Sequence, residues 1–448
     1  MDHDIFGDFR EYSVAEFFKK NRQMLGFSGK VRSLTTIVHE YVTNSLDACD
    51  EAGILPEIEV WVMEDGEERY RVKSRDNGPG IPEKLLPTAL ATMLSGTKFH
   101  RYVQQRGQQG IGATGCTMYS QITTGQPVKV VSKHKGKAVR CSLGIDFKAN
   151  KPIVSDLTKE ECSPEDHGLE VEGVFADVKY EKGGYGVGEY LKRTAIANPH
   201  ATIIFNSPEG ERLVYPRSVD VVPRKAKEVK PHPLGIGAND LLDLAKGKHE
   251  STRLSSFLQN EFTRISLNKV KGLQQILPDI DFNMKPAELT WEQAERLVSA
   301  FRKVKWIAPE TDSVVPIGTA QIEKSLRNVL NPEIVYVTER PPKIYRGGIP
   351  FVVEVGVAYG GDINKDKEGK PAGGGIIMRF ANRAPLLFDA GGCAITQTIK
   401  DIDWKRYELK DFEEEPVVLL VHVVSVHVPY TSAGKQSISA EDDLVDEI

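Results

Sequence analysis

Residues 34–52 read LTTIVHEYVTNSLDACDEA, and their apolar side chains recur with the spacing of an α-helix. Gly53 follows and predicts where this helix ends. Within it, Glu40, Asn44 and Asp47 stand at positions i, i+4 and i+7, so they share an arc of about 60° on one helix face. Such a stripe can bind a hard cation through Asn44 and leave Glu40 to deprotonate water, although an isolated polar stripe is more often a solvated face.

A short turn segment comes after the helix and a predicted strand. Residues 75–80 read RDNGPG, and Asp76 is their only acidic side chain. A carboxylate held at such a turn can accept a hydrogen bond from an exocyclic amine, while Gly78 and Gly80 let the backbone turn closely. Taken alone, the sequence Asp-Asn-Gly is more often a simple hairpin turn.

A glycine-rich segment follows at residues 106–115, RGQQGIGATG. Its successive free amides at a helix start can bind an anion. The segment is not a Walker A sequence, since no Gly-Lys-Ser/Thr follows, and it inverts the glycine order of the dinucleotide fingerprint. A phosphate-binding loop and a flexible glycine loop both fit this composition.

Length and composition place the chain among ordinary folded proteins. At 448 residues it has room for about three domains. With 40% hydrophobic and 27% charged residues, it is neither collagen-like nor disordered. Five scattered cysteines lack the spacing of a disulfide framework or metal site. A net charge of -5 argues against a surface that is basic throughout and binds nucleic acid over its whole extent. The longest apolar run, 417–428, is too short to span a membrane, and the first residues lack a signal-peptide pattern.

The sequence pattern divides the chain into three parts, with a linker between the first and the second. Helices and antiparallel strands mix in residues 1–216, a basic, proline-rich linker follows at 215–233, and residues 234–306 are predicted to be helical. From Pro309 onward strands return with one helix, which predicts a second α+β domain. The predicted strands are 57–63, 70–74, 128–134, 138–145, 169–180, 202–205, 334–338, 351–359, 375–381 and 417–428, and the later helices are 240–246, 251–263, 270–277, 291–303 and 319–330.

The three motifs, in this order, resemble the Bergerat-fold ATPases, the superfamily of gyrase B, the MutL mismatch-repair proteins, the ninety-kilodalton heat-shock chaperones and the histidine kinases. The resemblance implies an α+β fold, a Bergerat-type mixed sheet with helices on one face, that binds ATP and Mg²⁺. It implies that Glu40 is the general base for the attacking water, Asn44 the magnesium ligand and Asp76 the acceptor for the adenine amino group. It also implies ATP contacts from Gly78, Gly80, Gly107, Gln108, Gln109, Gly110, Ile111, Gly112, Ala113 and Thr114. This chain departs from the superfamily at one signature: where the superfamily has Gly-Thr, the chain has Gly168-Leu169.

Further segments look like the B subunits of type IIB DNA topoisomerases, the topoisomerase VI family. They lie at 13–22, 24–27, 44–48, 51–55, 106–112, 379–387 and 429–436. The resemblance implies a dimer strap at 1–20, an ATPase domain at 21–228, a helix-two-turns-helix domain at 229–307 and a transducer domain at 308–448. In the family the transducer continues as a long helix, whereas the chain ends 13 residues after Lys435, so we expect a transducer truncated before that helix.

Three more residues match positions with a role in the family. Lys435, in the sequence Ser-Ala-Gly-Lys, matches the transducer's switch lysine, which would reach the γ-phosphate of ATP and contribute to catalysis. Thr97 and Lys98 match a nucleotide-contacting pair. The alternatives are a solvated surface lysine and an ordinary polar turn.

The resemblance implies an ATP-hydrolysing subunit that forms a homodimer on ATP binding and closes a gate around a DNA segment. Its implied partners are double-stranded DNA and the topoisomerase VI A subunit, which makes the breaks in an A2B2 heterotetramer, and its implied location is cytoplasmic and nucleoid-associated, away from membranes. Basic residues within 217–230 and 253–271 offer a DNA-binding face, with a solvated surface as the equal alternative. An ATP-operated clamp or chaperone of the same superfamily is the alternative function.

Overall fold

The computed structural model describes residues 26–93, 102–107, 112–246, 251–363, 374–409, 412–432 and 434–448. The predicted strap at 1–20, Thr97, Lys98 and residues 108–111 of the glycine loop lie outside the described residues. Across the described parts of the chain, no helix combines the length and the apolar character needed to cross a membrane.

The helix that carries the polar stripe, α1, extends from Lys30 to Ala52. It begins one turn earlier than predicted, because its first turn contributes too few apolar residues to extend the periodic pattern. It ends as predicted at Gly53, whose φ of 72° is left-handed and whose amide donates to the Asp50 carbonyl at 3.2 Å.

Eight strands form the first sheet: β1 (Glu57–Gly66), β2 (Arg69–Asp76), β3 (Val128–His134), β4 (Lys137–Asp146), β5 (Lys151–Glu161), β6 (Gly168–Ala176), β7 (Thr202–Asn206) and β8 (Arg212–Tyr215). Their order is β5-β4-β3-β6-β2-β1-β7-β8, and all neighbours are antiparallel except the parallel pair β1 and β7. The six strands predicted in this part are present. The sequence pattern does not predict β5 and β8, because these edge strands are mostly exposed and lack an alternating apolar face.

Three helices join α1 over this sheet: α2 (Leu86–Ala91), α3 (Gly112–Thr124) and α4 (Val187–Ala197). They pack with the inward side chains of β1, such as Val60, into one core. The opposite face of the sheet carries ion pairs, such as Arg75 with Glu59 at 2.7 Å. The predicted α+β arrangement, a mixed sheet with helices on one face, is confirmed.

Four helices form a unit with its own hydrophobic core between Ile236 and Trp306: α5 (Ala238–Lys246), α6 (Leu254–Glu261), α7 (Leu267–Ile276) and α8 (Trp291–Lys303). The predicted capping box opens α8, since the Thr290 hydroxyl accepts from the Gln293 amide at 3.3 Å and the Gln293 side chain accepts from the Thr290 amide at 3.0 Å. The preceding residues, 216–232, form the linker and contain no helix or regular strand.

A second sheet occupies the C-terminal part of the chain. Its elements are α9 (Thr319–Leu330), β9 (Ile334–Glu339), β10 (Lys343–Tyr345), β11 (Ile349–Tyr359), β12 (Ile376–Ala381), β13 (Ala384–Pro385), α10 (Ala394–Lys400), β14 (Val417–Ser425) and α11 (Asp442–Val445). The strands follow the order β10-β11-β14-β12-β13, with β9 also paired to β11. Every residue of β14 is buried, so the long apolar run is a core strand, as the sequence predicts.

The two sheets meet through a shared core. Ile196 and Ala197 at the end of α4 pack with Ile322 and Leu326 of α9 and with Phe380 of β12. This contact brings the turn between β12 and β13 close to the elements that carry the polar stripe.

Candidate functional site

The predicted base, Glu40, lies against the start of α3. It is partly buried on α1, and a Cβ placed on Gly112, the first residue of α3, would overlap its Oε2 atom. Only glycine fits here without moving the carboxylate. The first amides of a helix have no partners within the helix and carry partial positive charge, so the same backbone that accommodates Glu40 can also bind an anion.

Asn44 and Asp47 present oxygens one turn and two turns further along α1. The Asn44 side-chain amide donates to the Glu40 carbonyl at 2.8 Å, which leaves its Oδ1 as an acceptor. A Cβ on Gly107 would lie 3.9 Å from both Asn44 Oδ1 and Asp47 Oδ2, so both oxygens border the start of the glycine loop. An amide oxygen beside a carboxylate is a donor set that suits Mg²⁺.

Asp76 ends β2 and is buried at 8% exposure. Its Oδ1 accepts from the amides of Gly78 at 2.9 Å and Leu169 at 3.1 Å, and its Oδ2 accepts from the Ser45 hydroxyl at 2.6 Å. A carboxylate offers about four acceptor directions, so these bonds leave about one, on Oδ2. Burial raises the pKa of Asp76, and the three hydrogen bonds oppose that shift.

Two glycines near Asp76 pack so closely against backbone carbonyls that a side chain would not fit. Gly80 has a φ of 68°, and a Cβ there would overlap the Lys133 carbonyl. Gly168, with a φ of 139°, packs against the Asp76 carbonyl in the same way. At the position where the superfamily pattern has threonine, Leu169 provides a backbone amide to Asp76, and this contact does not depend on the side chain.

Thr114 and Ala113 follow Gly112 in the first turn of α3. The Thr114 side chain is buried, and its hydroxyl donates to the Thr92 carbonyl at 3.3 Å. Ala113 packs against the first core. Any contact of these two residues with an anion would therefore use their backbone amides.

Lys435 belongs to a C-terminal segment that lies next to α1. Its φ is 51°, and its amide donates to the Ser432 carbonyl at 3.1 Å. Burial lowers the pKa of His39, the neighbour of Glu40; the Glu40 carboxylate opposes this shift and the Lys435 ammonium adds to it. The next residue, Gln436, accepts from the amides of Leu387 at 3.1 Å and Phe388 at 3.2 Å, which fixes the segment against the second sheet.

A buried ion cluster adjoins the site and is not predicted from the sequence. Nη1 of Arg106 lies 2.8 Å from both Asp47 Oδ1 and Asp50 Oδ2, and Nη2 donates to Asn198 Oδ1 at 2.5 Å. Asp50 also pairs with His200 Nε2 at 2.8 Å. The quoted motif includes Arg106, but its partners come from α1 and the end of α4, and the sequence pattern carries no signal for that pairing.

A second buried pair links two apolar strands. Glu354 on β11 accepts from His422 on β14 at 2.7 Å, and from the amides of Ile317 at 2.9 Å and Gly318 at 2.6 Å. An ionisable residue inside each apolar run is the sequence signal that indicates such a pair.

Of the predicted site residues, the structure places Glu40, Asn44, Gly107 and Gly112 together, and Lys435 follows Gly434, where a Cβ would lie 3.5 Å from the Arg32 guanidinium in the first turn of α1. Asp76, Gly78 and Gly80 form the adjoining turn after β2, which Ser45 links to α1. Among the described residues, no group of three or more His, Cys, Asp or Glu side chains is arranged to hold a metal ion.

Comparison with known proteins gives two family matches. Residues 29–147 match the family described as histidine kinase-, DNA gyrase B-, and HSP90-like ATPase, and residues 309–448 match the topoisomerase VI B subunit transducer.

Full-length relatives agree with these matches. The B subunit of type 2 DNA topoisomerase 6 from Methanothermobacter thermautotrophicus is 48% identical to this chain, over 99% of this chain and 85% of its own length. The protein of the same name from Pyrococcus horikoshii is 44% identical, with the same coverage of both chains. The resemblance seen in the motifs is confirmed, and the chain belongs to the family of type 2 DNA topoisomerase 6 B subunits.

Proposed function

We propose that this chain binds and hydrolyses ATP as the B subunit of a type IIB DNA topoisomerase, with ATP closing a dimeric gate around a DNA segment. One observation carries the proposal. Glu40, Asn44 and the start of α3 form one face beside Asp76, and the C-terminal segment that carries Lys435 meets α1 at Arg32, next to Gly434.

Asp76 is proposed to bind the adenine amino group. Its one remaining acceptor direction suits a single N–H donor, and the three hydrogen bonds from Ser45, Gly78 and Leu169 fix the carboxylate. A fixed, buried acceptor favours a base with an exocyclic amine over one with a carbonyl at the same position.

Glu40 is proposed to accept the proton of the attacking water. Its carboxylate is at the start of α3, where backbone amides would hold the terminal phosphates. Gly107, Gly112 and the loop residues 108–111 are proposed to supply those amides. Thr97 and Lys98 remain proposed nucleotide contacts.

Asn44 is proposed to hold Mg²⁺, with its Oδ1 atom as the ligand. The ion would neutralise phosphate charge when bound. Lys435 is proposed to bring a positive charge to the γ-phosphate, so that loss of this phosphate would release the C-terminal part of the chain from α1.

For domain organisation, we propose a strap at 1–20, an ATPase domain at 21–228, a helix-two-turns-helix domain at 229–307 and a transducer at 308–448. The separate cores of the first sheet, the helical unit and the second sheet support this division.

We also propose homodimerisation on ATP binding, pairing with the topoisomerase VI A subunit as A2B2, and action on double-stranded DNA, which would place the protein at the nucleoid. The helical unit is the better candidate for DNA contact, because Arg253 and Lys271 are exposed there. In the linker, Arg217 and Lys227 already pair with acidic groups, Asp220 at 3.1 Å and Asp312 at 2.5 Å.

The experiment that tests this function is ATP turnover with an A subunit from the family, with and without supercoiled DNA. We expect DNA to stimulate turnover and the pair to relax the DNA only when ATP is present. A rate of ATP hydrolysis that neither DNA nor the A subunit changes would contradict the proposal and favour a clamp or chaperone.

A further inference from the structure

Residues 102–107 lead directly into the glycine loop, and elements beyond the first sheet hold them at successive positions. The Tyr102 carbonyl accepts from the Val229 amide at 2.9 Å. The Gln104 side chain donates to the Val315 carbonyl at 2.9 Å and accepts from the Val315 amide at 2.6 Å. The Gln105 carbonyl accepts from the Asn382 side chain at 3.2 Å. The base of the glycine loop is therefore fastened to the C-terminal part of the chain.

The next residue, Arg106, extends this contact through a buried amide. Asn198 accepts from Arg106 at 2.5 Å and donates through its Nδ2 atom to the Arg383 carbonyl at 3.0 Å. Asn198 is fully buried, and the Arg106 side chain is 5% exposed. One ion pair and two hydrogen bonds therefore connect Asp47, beside Gly107, to the turn between β12 and β13.

That turn is held in a demanding conformation. Asn382 and Arg383 are consecutive residues with left-handed φ values of 47° and 67°. Asparagine adopts this region more readily than most residues, whereas the Arg383 side chain needs surroundings that fix it. Asn382 donates to the Ser425 carbonyl at 2.9 Å and accepts from the Ser425 amide at 3.0 Å.

The turn is also anchored to the buried acid pair. The Arg383 amide donates to His422 Nε2 at 2.8 Å, so His422 is neutral, with its proton on Nδ1 facing Glu354. Two guanidinium groups are buried here, and burial together with the Arg106 charge lowers the pKa of Arg383 to about 10. Buried cations are costly unless they are paired, and here Arg106 pairs with Asp47 and Asp50 while the Arg383 side chain donates to the Pro316 carbonyl at 3.0 Å.

We propose that Gln104, Asn382 and Asn198 are positioning residues through which the second sheet fixes residues 104–107, the base of the glycine loop. This is a second contact between the C-terminal part and the nucleotide site, separate from Lys435. The inference rests on the proposed function, because the loop is proposed to bind phosphate. It predicts that these residues act on affinity for the terminal phosphate and leave the adenine end untouched.

The test compares two nucleotides, ADP and a non-hydrolysable ATP analogue with magnesium, by titration calorimetry. The first variant is Gln104→Ala, which removes both hydrogen bonds to Val315 from a partly buried side chain. Its matched control is Gln259→Ala, which removes one side-chain bond to the Ser255 carbonyl at 3.0 Å in the helical unit. The second variant is Asn382→Gly, with Asn331→Gly as its control, since Asn331 has a φ of 46° in the same part of the chain.

We expect both site variants to bind the ATP analogue about tenfold more weakly and to bind ADP within about twofold of the wild type. Both controls should match the wild type for both nucleotides. Equal weakening of ADP and the analogue would mean a purely structural role and would overturn the inference, as would unchanged binding. Absence of analogue binding by the wild type would instead refute the proposed function. If Asn382→Gly fails to fold, Gln104→Ala decides alone.

Discussion

Asp76→Asn gives a direct test of how the site recognises a base. In the wild type, Ser45, Gly78 and Leu169 occupy three acceptor directions of the carboxylate and leave about one for a ligand. Asparagine keeps one carbonyl oxygen for the two backbone amides and places an N–H₂ group where Oδ2 stands. Ser45 can reverse and accept from that group, but an adenine amine would then face another donor.

The size of the effect follows from the lost bond. A hydrogen bond to a charged group contributes about 1.5–3 kcal/mol. At about 1.4 kcal/mol for each factor of ten, its loss weakens binding of the ATP analogue by about 10- to 150-fold. A hypoxanthine nucleotide, which carries a carbonyl in place of the amine, should be disfavoured by the wild type and accepted by the variant.

The assay is calorimetric titration of the ATP analogue and its inosine counterpart into wild type and Asp76→Asn. We expect the strong adenine preference of the wild type to fall to near parity in the variant. The control Asp166→Asn changes the same side chain at an exposed position and should leave both affinities unchanged. Because burial raises the pKa of Asp76, asparagine removes a buried charge and should not lower the unfolding free energy at pH 7. Equal losses for both nucleotides would refute the adenine assignment.

Three further predictions concern turnover, packing and pH. Glu40→Ala should bind the ATP analogue and lose ATP turnover, measured by phosphate release, because the proton acceptor is gone; unchanged turnover would contradict the assignment. Gly112→Ala should lower turnover, because its Cβ would displace the Glu40 carboxylate, whereas Gly272→Ala, in open space on α7, should raise helix stability by about 1 kcal/mol with turnover intact. The free energy of unfolding, measured with urea, should fall below about pH 6.5 by up to about 1.4 kcal/mol per pH unit for each histidine buried in its neutral form. The reason is that the native state binds fewer protons there than the unfolded chain. A free energy of unfolding that does not change with pH would contradict this. Three such histidines are at most 3% exposed and have pKa values that burial lowers: His200, His232 and His422.

The sequence predicts the parts of the site that depend on local spacing. The period of α1 places Glu40, Asn44 and Asp47 on one face, and the turn after β2 places Asp76 near its glycines. These patterns depend only on neighbouring residues, so one sequence is enough to read them. The exposed edge strand β5 escapes prediction, because a strand without a buried face has no alternation to detect.

Contacts between distant segments could not be predicted. The close approach of Gly112 to Glu40, and the pairing of Arg106 with Asn198, depend on how α3 and α4 pack against α1. Glu354 and His422 stand out as ionisable groups in apolar strands, but only the register between β11 and β14 shows that they face each other.

An ATP-operated dimer gate is the central proposal, and sedimentation tests it most directly. The molar mass would be measured without nucleotide and with the ATP analogue plus magnesium, for wild type and for Asn44→Ala, with analogue binding followed in parallel. We predict a monomer of 49.7 kDa that doubles in mass when the analogue is added, and an Asn44→Ala chain that stays monomeric. A wild type that binds the analogue and keeps the monomer mass would contradict the gate.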